Sequence, residues 1–173
     1  MQKVFFAVPT YGSQPSIELT LSALAANHAL ITAGIETVWR FKGGDPYIAK
    51  ARNTLASEFL TGYPDCTELF FWDDDVGAAD AGETVLRIVR RQQDVIVGAY
   101  PKKNDLEEFP IELEFNNTSP PSPIVQDGLF QTMLGATGFM CIKRHVLERV
   151  AAESMCYEEQ DYVRGSIKCW DMF

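Results

Sequence analysis

Short apolar runs rich in Val, Ile and Phe alternate with longer segments of helical period through the first hundred residues. This alternation is typical of a parallel β-sheet covered by helices. The apolar runs predict strands at residues 3–8, 35–41, 68–72 and 94–99. The sequence therefore predicts an α/β protein.

Three helices are predicted between these strands. In the first, Ser16 is a suitable N-cap, and Gly34 stands where a left-handed residue ends a helix. Its buried face is predicted from apolar positions three or four residues apart, which are Ile17, Leu21, Leu24, His28 and Ile31.

The second helix is predicted to end near Gly62. For the third, Asp80 and Glu83 have the spacing of a capping box that opens a helix through about residue 93.

The pattern loosens after residue 100. Prolines and polar residues predict a loop over most of 102–128, with a short strand at 111–115. Further strands are predicted at 129–134 and 139–143, and a closing helix at 144–153. A length of 173 residues suits one domain with a single core.

The net charge limits the classes of binding partner, and the cysteine content indicates the cellular compartment. Fifteen Lys and Arg against 24 Asp and Glu give a net charge of −9, which repels phosphate backbones and argues against nucleic-acid binding. No apolar run is long enough to span a membrane. The four cysteines lack CxxC spacing, so we expect reduced thiols in a cytoplasmic protein.

Three acidic residues directly follow the most apolar strand. Asp73, Asp74 and Asp75 come after Leu-Phe-Phe-Trp at 69–72, at the carboxyl end of a strand that should be buried. If the extended backbone continued, Asp73 and Asp75 would point to the same side, ~6–7 Å apart at Cα. A divalent cation would relieve their repulsion, and carboxylate oxygens favour Mg²⁺ or Mn²⁺ with phosphate completing the shell. The alternative is a solvated acidic turn.

Four segments in order resemble glycosyltransferases of the GT-A fold that use nucleotide sugars. They are Ala-Val-Pro-Thr-Tyr at 7–11, Ala-Arg-Asn at 51–53, Phe-Phe-Trp-Asp-Asp-Asp with its DxD motif at 70–75, and Gly-Ala-Thr-Gly-Phe-Met at 135–140. The similarity spans roughly residues 3–150 and is greatest to bacterial or phage family-2-like transferases. It implies a Rossmann-like, mostly parallel sheet with helices on both faces.

The resemblance also implies roles for single residues. Pro9, Thr10 and Tyr11 would contact the base and ribose, and Arg52 and Asn53 would face the nucleotide. Simpler interpretations stay open: Pro9 shapes a turn, Tyr11 is a surface residue, and Arg52 is an exposed helix arginine.

In the acidic motif, Asp73 and Asp75 would hold Mn²⁺ or Mg²⁺, and Asp74 would bond sugar or ribose hydroxyls. Gly138 would line the donor-sugar and acceptor side, unless its loop is a plain turn between strands. The whole chain, 1–173, would be one GT-A-like domain, with a nucleotide-binding half at 1–100 and an acceptor and sugar half at 101–173.

The implied reaction is transfer of a hexosyl group from a nucleoside-diphosphate sugar to an acceptor hydroxyl on a glycan, lipid or protein. The acceptor, the oligomeric state and the catalytic base are unassigned. Glu158, Glu159 and Asp161 are acidic and late in the chain, but a solvated charged turn explains them better. Relatives usually continue further, so we expect the acceptor half to be incomplete and the sequence to be truncated at its carboxyl terminus.

Two other functions remain. A haloacid-dehalogenase-type, Mg²⁺-dependent phosphohydrolase also places DxD after an apolar strand, although normally after the first strand. A nucleotide-sugar-binding module without catalysis is the third alternative.

Overall fold

The computed structural model of the protein describes residues 1–12, 14–102, 106, 108–161 and 165–173, with the backbone alone for Asp161. The helices are α1 (Ile17–Thr32), α2 (Ile48–Gly62), α3 (Ala81–Arg90) and α4 (Arg144–Glu153). The first strands are β1 (Lys3–Thr10), β2 (Glu36–Gly43), β3 (Glu68–Trp72), β4 (Val95–Val97) and β5 (Ile111–Leu113). The later strands are β6 (Val125–Gln126), β7 (Leu129–Phe130), β8 (Thr132–Gly135), β9 (Phe139–Lys143), β10 (Cys156–Asp161) and β11 (Gly165–Trp170).

The main sheet has five strands in the order β2-β1-β3-β9-β4. β1 pairs in parallel with β2 and β3, whereas β9 runs antiparallel to both β3 and β4. Three two-stranded antiparallel sheets, β5 with β8, β6 with β7 and β10 with β11, lie outside it. The prediction of a mostly parallel, Rossmann-like sheet is therefore wrong, because the sheet is mixed.

The connections explain this difference. Parallel neighbours need a crossover of a dozen or more residues, usually a helix, and α1 and α2 provide those crossovers for the first three strands. The described residues between β4 and β9 contain only short strands and no helix. The chain thus enters β9 from the opposite end of the sheet.

The strands with the strongest apolar signal were predicted correctly. The bounds of β3, β9 and α4 are confirmed, and β1 continues two residues beyond the prediction. The predicted strand at 129–134 is instead two short strands, β7 and β8, and β4 covers only the middle of 94–99. The hairpin of β10 and β11 was not predicted.

Two apolar clusters pack against the main sheet. Val4, Phe6 and Val8 of β1 belong to one cluster together with buried residues of α1 and α3. Phe5 and Ala7 belong to the other, with buried residues of α2 and α4. Strands buried on both sides need apolar residues at every position, which is why β1 and β3 are continuous apolar runs.

The buried face of α1 differs from the prediction. Leu19, Ser22, Ala26 and Leu30 are buried, whereas Ile17, Leu21, Leu24 and Ile31 are 74%, 64%, 63% and 59% exposed, and His28 is also exposed. Ser16 does cap the helix, accepting a hydrogen bond from Leu19 N at 3.0 Å, and Gly34 has φ +76°.

Close packing against α3 decides which face of α1 is buried. A Cβ on Gly82 of α3 would lie 3.1 Å from the carbonyl oxygen of Ala25 and 3.3 Å from Cβ of Ala29. Only small residues allow this approach, so the side of α1 that carries them faces α3. Because α1 is apolar on nearly every side, its periodicity alone did not distinguish the two faces.

A buried acid connects β3, β9 and the segments next to β1 and α3 at the amino end of the sheet. Glu68 at the start of β3 is 1% exposed and lies 2.5 Å from Lys143 Nζ. Gln2 Nε2 donates to the same carboxylate at 2.8 Å, and Thr67 and Gln92 donate as well. These bonds compensate the cost of burying the charge.

Across the parts of the chain that the structure describes, no helix has both the length and the apolarity that a bilayer crossing requires.

The assignment of the α1 faces predicts unequal costs for two leucine truncations. Leu19→Ala should lower the free energy of unfolding by about 2–5 kcal/mol, because it removes a buried side chain from the core. The matched variant Leu21→Ala, on the exposed face, should change it by less than about 0.5 kcal/mol. Urea denaturation of both variants measures the difference, and equal losses would contradict this assignment.

Candidate functional site

The candidate site lies at the carboxyl edge of the main sheet. β1 ends at Thr10 and β3 at Trp72, and the two strands are parallel neighbours, so their carboxyl ends reach the same edge. Ligands of open α/β sheets bind at this edge. The acidic residues 73–75 therefore stand where a ligand is expected.

An ion pair is the central contact of the site. Arg52 Nη2, from α2, donates to both Oδ1 and Oδ2 of Asp73 at 2.8 Å. The Arg52 side chain is only 12% exposed and that of Asp73 22% exposed. Arg52 is thus not an exposed helix arginine; its guanidinium neutralises the first acid of the cluster.

A tight turn sets the positions of the three acids. Asp73 O accepts from Val76 N at 3.1 Å, and Trp72 Nε1 donates to Val76 O at 2.7 Å. The prediction that Asp73 and Asp75 continue the strand alternation is wrong, because the strand ends at Trp72 and the chain turns there. Asp73 is partly buried and Asp75 is exposed.

The environment of Asp73 raises its pKa. Burial is the largest cause, since it disfavours the charged form, and the negative charge of Asp75 adds to it. The positive charge and hydrogen bonds of Arg52 act in the opposite direction. The carboxylate is thus held where further positive charge would stabilise its ionised form.

Gly138 lies directly against Asp73. Its carbonyl oxygen accepts from Asp73 N at 2.8 Å, and a Cβ at this position would lie 2.6 Å from Asp73 Oδ2 and 2.3 Å from Tyr100 Oη. Any larger residue at position 138 would have to displace the Tyr100 hydroxyl and the Asp73 carboxylate. Gly138 was a predicted site residue, and the structure brings it to the acids.

Tyr100 is a site residue to which the sequence analysis assigned no role. Its pKa is raised, first by burial and then by the charge of Asp73. The available signal was its position, because β4 runs in the same direction as β3 and Tyr100 follows the carboxyl end of β4.

The β1 side of the site contains the predicted nucleotide residues. Pro9 and Thr10 are buried, and Tyr11 is 79% exposed. A recess of about 340 Å³ is lined by Thr10, Pro15, Phe41 and Gly43. Contact of Pro9, Thr10 and Tyr11 with a nucleotide stays a prediction.

The side chain of Asn53 makes its hydrogen bonds within the protein, to residues 171–173. It is 2% exposed, and its Oδ1 accepts from the backbone N–H groups of Met172 and Phe173 at 2.9 Å. Its Nδ2 donates to Asp171 at 2.9 Å, and the Phe173 ring packs edge-on against Phe71 at 5.0 Å. The aromatic terminus is thus docked on the core through Asn53, whose nucleotide role stays a prediction.

The remaining acids lie in different settings. Asp74 is partly buried in the turn, and its contact with sugar hydroxyls stays a prediction. Glu158 and Glu159 lie in β10, where Glu159 is 2.8 Å from Lys50 Nζ, so the predicted charged turn is a strand here. The side chain of Asp161 lies outside the described residues.

A larger cavity of about 490 Å³ adjoins the turn. Val76, Gly77 and Ala78 line one side of it, and Tyr100 lines it as well. α3 contributes Thr84 and Arg87, and Arg91 follows on the same wall. Space for a ligand therefore continues from the acidic turn toward α3 and β4.

No family model and no curated protein matches this sequence. Among the side chains that the structure describes, no group of three or more His, Cys, Asp or Glu could hold a metal.

The ion pair predicts a change in the titration of Asp73. Arg52→Gln should raise the pKa of Asp73 further, because burial and Asp75 would act without the opposing cation. A carboxyl group whose pKa is higher in the folded than in the unfolded protein lowers the free energy of unfolding as the pH rises from the unfolded pKa past the folded one. Arg52→Gln should therefore lose stability over this pH range.

Carboxyl carbon NMR of aspartate-labelled protein measures this pKa. Lys50→Gln is the matched control, since it removes one positive charge from the same helix at a residue paired with Glu159. An unchanged Asp73 titration in Arg52→Gln would contradict the role of the ion pair.

Proposed function

We propose that this protein is a metal-dependent glycosyltransferase that binds a nucleoside-diphosphate sugar and transfers the sugar to an acceptor hydroxyl. The observation that carries the proposal is the Arg52–Asp73 pair at the carboxyl edge of the sheet, with Asp75 in the adjoining turn. A diphosphate needs positive charge on its oxygens, and a net charge of −9 means that this charge must be supplied locally.

The donor set fits Mn²⁺ or Mg²⁺. A carboxylate offers about four lone-pair sites, and Arg52 occupies only two on Asp73, so Asp73 keeps oxygen ligands of the kind these ions prefer, and Asp75 adds a second carboxylate. The raised pKa of Asp73 supports the same interpretation, because a cation would stabilise the ionised carboxylate. When bound, the ion would offset the negative charge that grows on the departing diphosphate.

The side chains of this site position the donor in the proposal. Arg52 uses Nη2 on Asp73 and keeps other N–H donors of its guanidinium for a phosphate oxygen. Thr10 and Tyr11 lie at the end of β1, where a base and ribose would be bound. Gly138 has no side chain, which lets the side chains of Asp73 and Tyr100 come together at its backbone.

The environment of Asp73 favours binding over nucleophilic attack. A phosphohydrolase of the haloacid-dehalogenase type needs a carboxylate oxygen that attacks phosphorus. Both oxygens of Asp73 accept hydrogen bonds from Arg52, which withdraws electron density from them. The pair therefore supports a positioning role for Asp73.

A cytoplasmic location belongs to the same proposal. Cys66, Cys141, Cys156 and Cys169 are free thiols, as is typical of a reducing compartment.

Thermal denaturation with nucleoside diphosphates, with and without Mn²⁺, tests the proposal. We expect an increase in Tm that needs both components, because the ion joins the acids to the diphosphate. Asp75→Ala should abolish this increase. Asp80→Ala is the matched control, since Asp80 is a nearby exposed acid and should keep the effect.

Different outcomes separate the candidate functions. A Tm increase by nucleotide alone, unchanged in Asp75→Ala, would contradict the metal assignment. Sugar release or transfer from a bound donor supports the transferase, and phosphate release from monoesters supports the phosphohydrolase. Binding without any turnover supports the module that lacks catalysis.

A further inference from the structure

Among the described residues, the outer edge of β2 has no strand partner. β2 is the first strand of the sheet and pairs only with β1. Glu36 N donates to Gln2 O at 3.1 Å, so Glu36 and alternate residues after it bond toward β1. Thr37, Trp39 and Phe41 therefore direct their backbone N–H and C=O groups outward, where the described part of the chain places no strand.

Apolar surface adjoins this edge. A groove of about 260 Å³ runs between α1 and β2, lined mainly by Pro15, Ala23, Leu24, Asn27, Trp39 and Phe41. The exposed α1 residues Ile17, Leu21, Leu24 and Ile31, here called the α1 stripe, lie on the neighbouring helix. A long edge strand beside an apolar surface is a site for pairing with another chain.

The sequence of β2 is complementary to itself in antiparallel register. With Trp39 opposite Trp39 of a second copy, Glu36 faces Lys42 and Thr37 faces Phe41 of that copy. Residues directly opposite share a face, so the opposite charges lie on one face and the aromatic rings on the other. In this register the outward groups of Thr37, Trp39 and Phe41 form the hydrogen-bonded pairs of an antiparallel ladder.

The register is restricted by which β2 residues direct their backbone N–H and C=O groups outward, a pattern that we call the phase of the strand. A shift by one residue would place the bonded groups of one copy opposite inward-bonded groups of the other, and it would move the aromatic rings to opposite faces. A shift by two residues keeps the phase and would place Glu36 opposite Arg40, but Arg40 already pairs with Glu58 at 2.6 Å. That shift would also set Phe41 opposite Ile35, whose N–H already donates to Leu30 O. The register at Trp39 is the one that uses the outward groups of Thr37, Trp39 and Phe41 together.

We propose that two copies of this protein join through antiparallel pairing of their β2 edges about a two-fold axis at Trp39, forming one continuous sheet. Trp39 of each copy stays stacked on its own Phe6, and Phe41 of each copy lies beside Thr37 of the other, next to the groove at α1 of that copy. A C₂ interface uses the same patch twice, as this self-complementary strand requires.

Sedimentation equilibrium of the wild-type protein and of Phe41→Pro tests the interface. The wild type should be dimeric and the variant monomeric, since proline removes an outward N–H that the monomer does not use. Phe41→Leu keeps the N–H and an apolar side chain, so it should stay dimeric. A wild-type protein that is monomeric at every concentration would overturn the proposal and leave this edge to another partner or segment.

A charge exchange gives an independent readout. Lys42→Glu places two acids opposite each other and should weaken dimerisation at least about tenfold. The double variant Glu36→Lys/Lys42→Glu restores opposite charges and should recover most of this loss. Circular dichroism confirms that each variant is folded, and should Phe41→Pro fail to fold, the charge variants decide. A dimer that neither change weakens would place the interface elsewhere.

Discussion

Neutralisation of the two acidic ends of a buried strand is the constraint on which this structure depends. Every residue of β3 is buried, yet Glu68 begins it and Asp73 follows it. A separate element supplies a cation to each acid, Lys143 of β9 at the amino end and Arg52 of α2 at the carboxyl end. Because unpaired charges at these positions would be costly, the two pairs hold β9 and α2 in place around β3.

The antiparallel direction of β9 connects the two ends. Its register pairs Lys143 with Glu68 and Phe139 with Trp72, so the residue before Phe139 is Gly138, beside Asp73. A parallel strand in this position would bring its first residues to Glu68 instead. The antiparallel direction of β9, which the prediction of a mostly parallel sheet did not include, therefore brings the backbone of Gly138 to the acidic turn.

Local signals were sufficient for some of this structure. Ser16 and Gly34 mark the ends of α1, and continuous apolar runs mark β3 and β9, because each signal acts over a few residues. Strand direction and the Arg52–Asp73 pair depend on contacts between distant positions, which a single sequence does not show. The turn at Asp73 was hidden as well, since it depends on Trp72 reaching the carbonyl of Val76. Of the predicted site residues, Arg52, Asp73 and Gly138 do meet.

The face of α1 that was wrongly predicted to be buried is itself informative. Its periodic apolar positions are typical of a helix face that is buried, and packing against α3 accounts only for the opposite, small-residue face. A helix with two apolar faces suits an environment in which both are covered. Leu24 of the second face lines the groove at Trp39 and Phe41, so one end of this exposed apolar surface reaches the edge strand of the sheet.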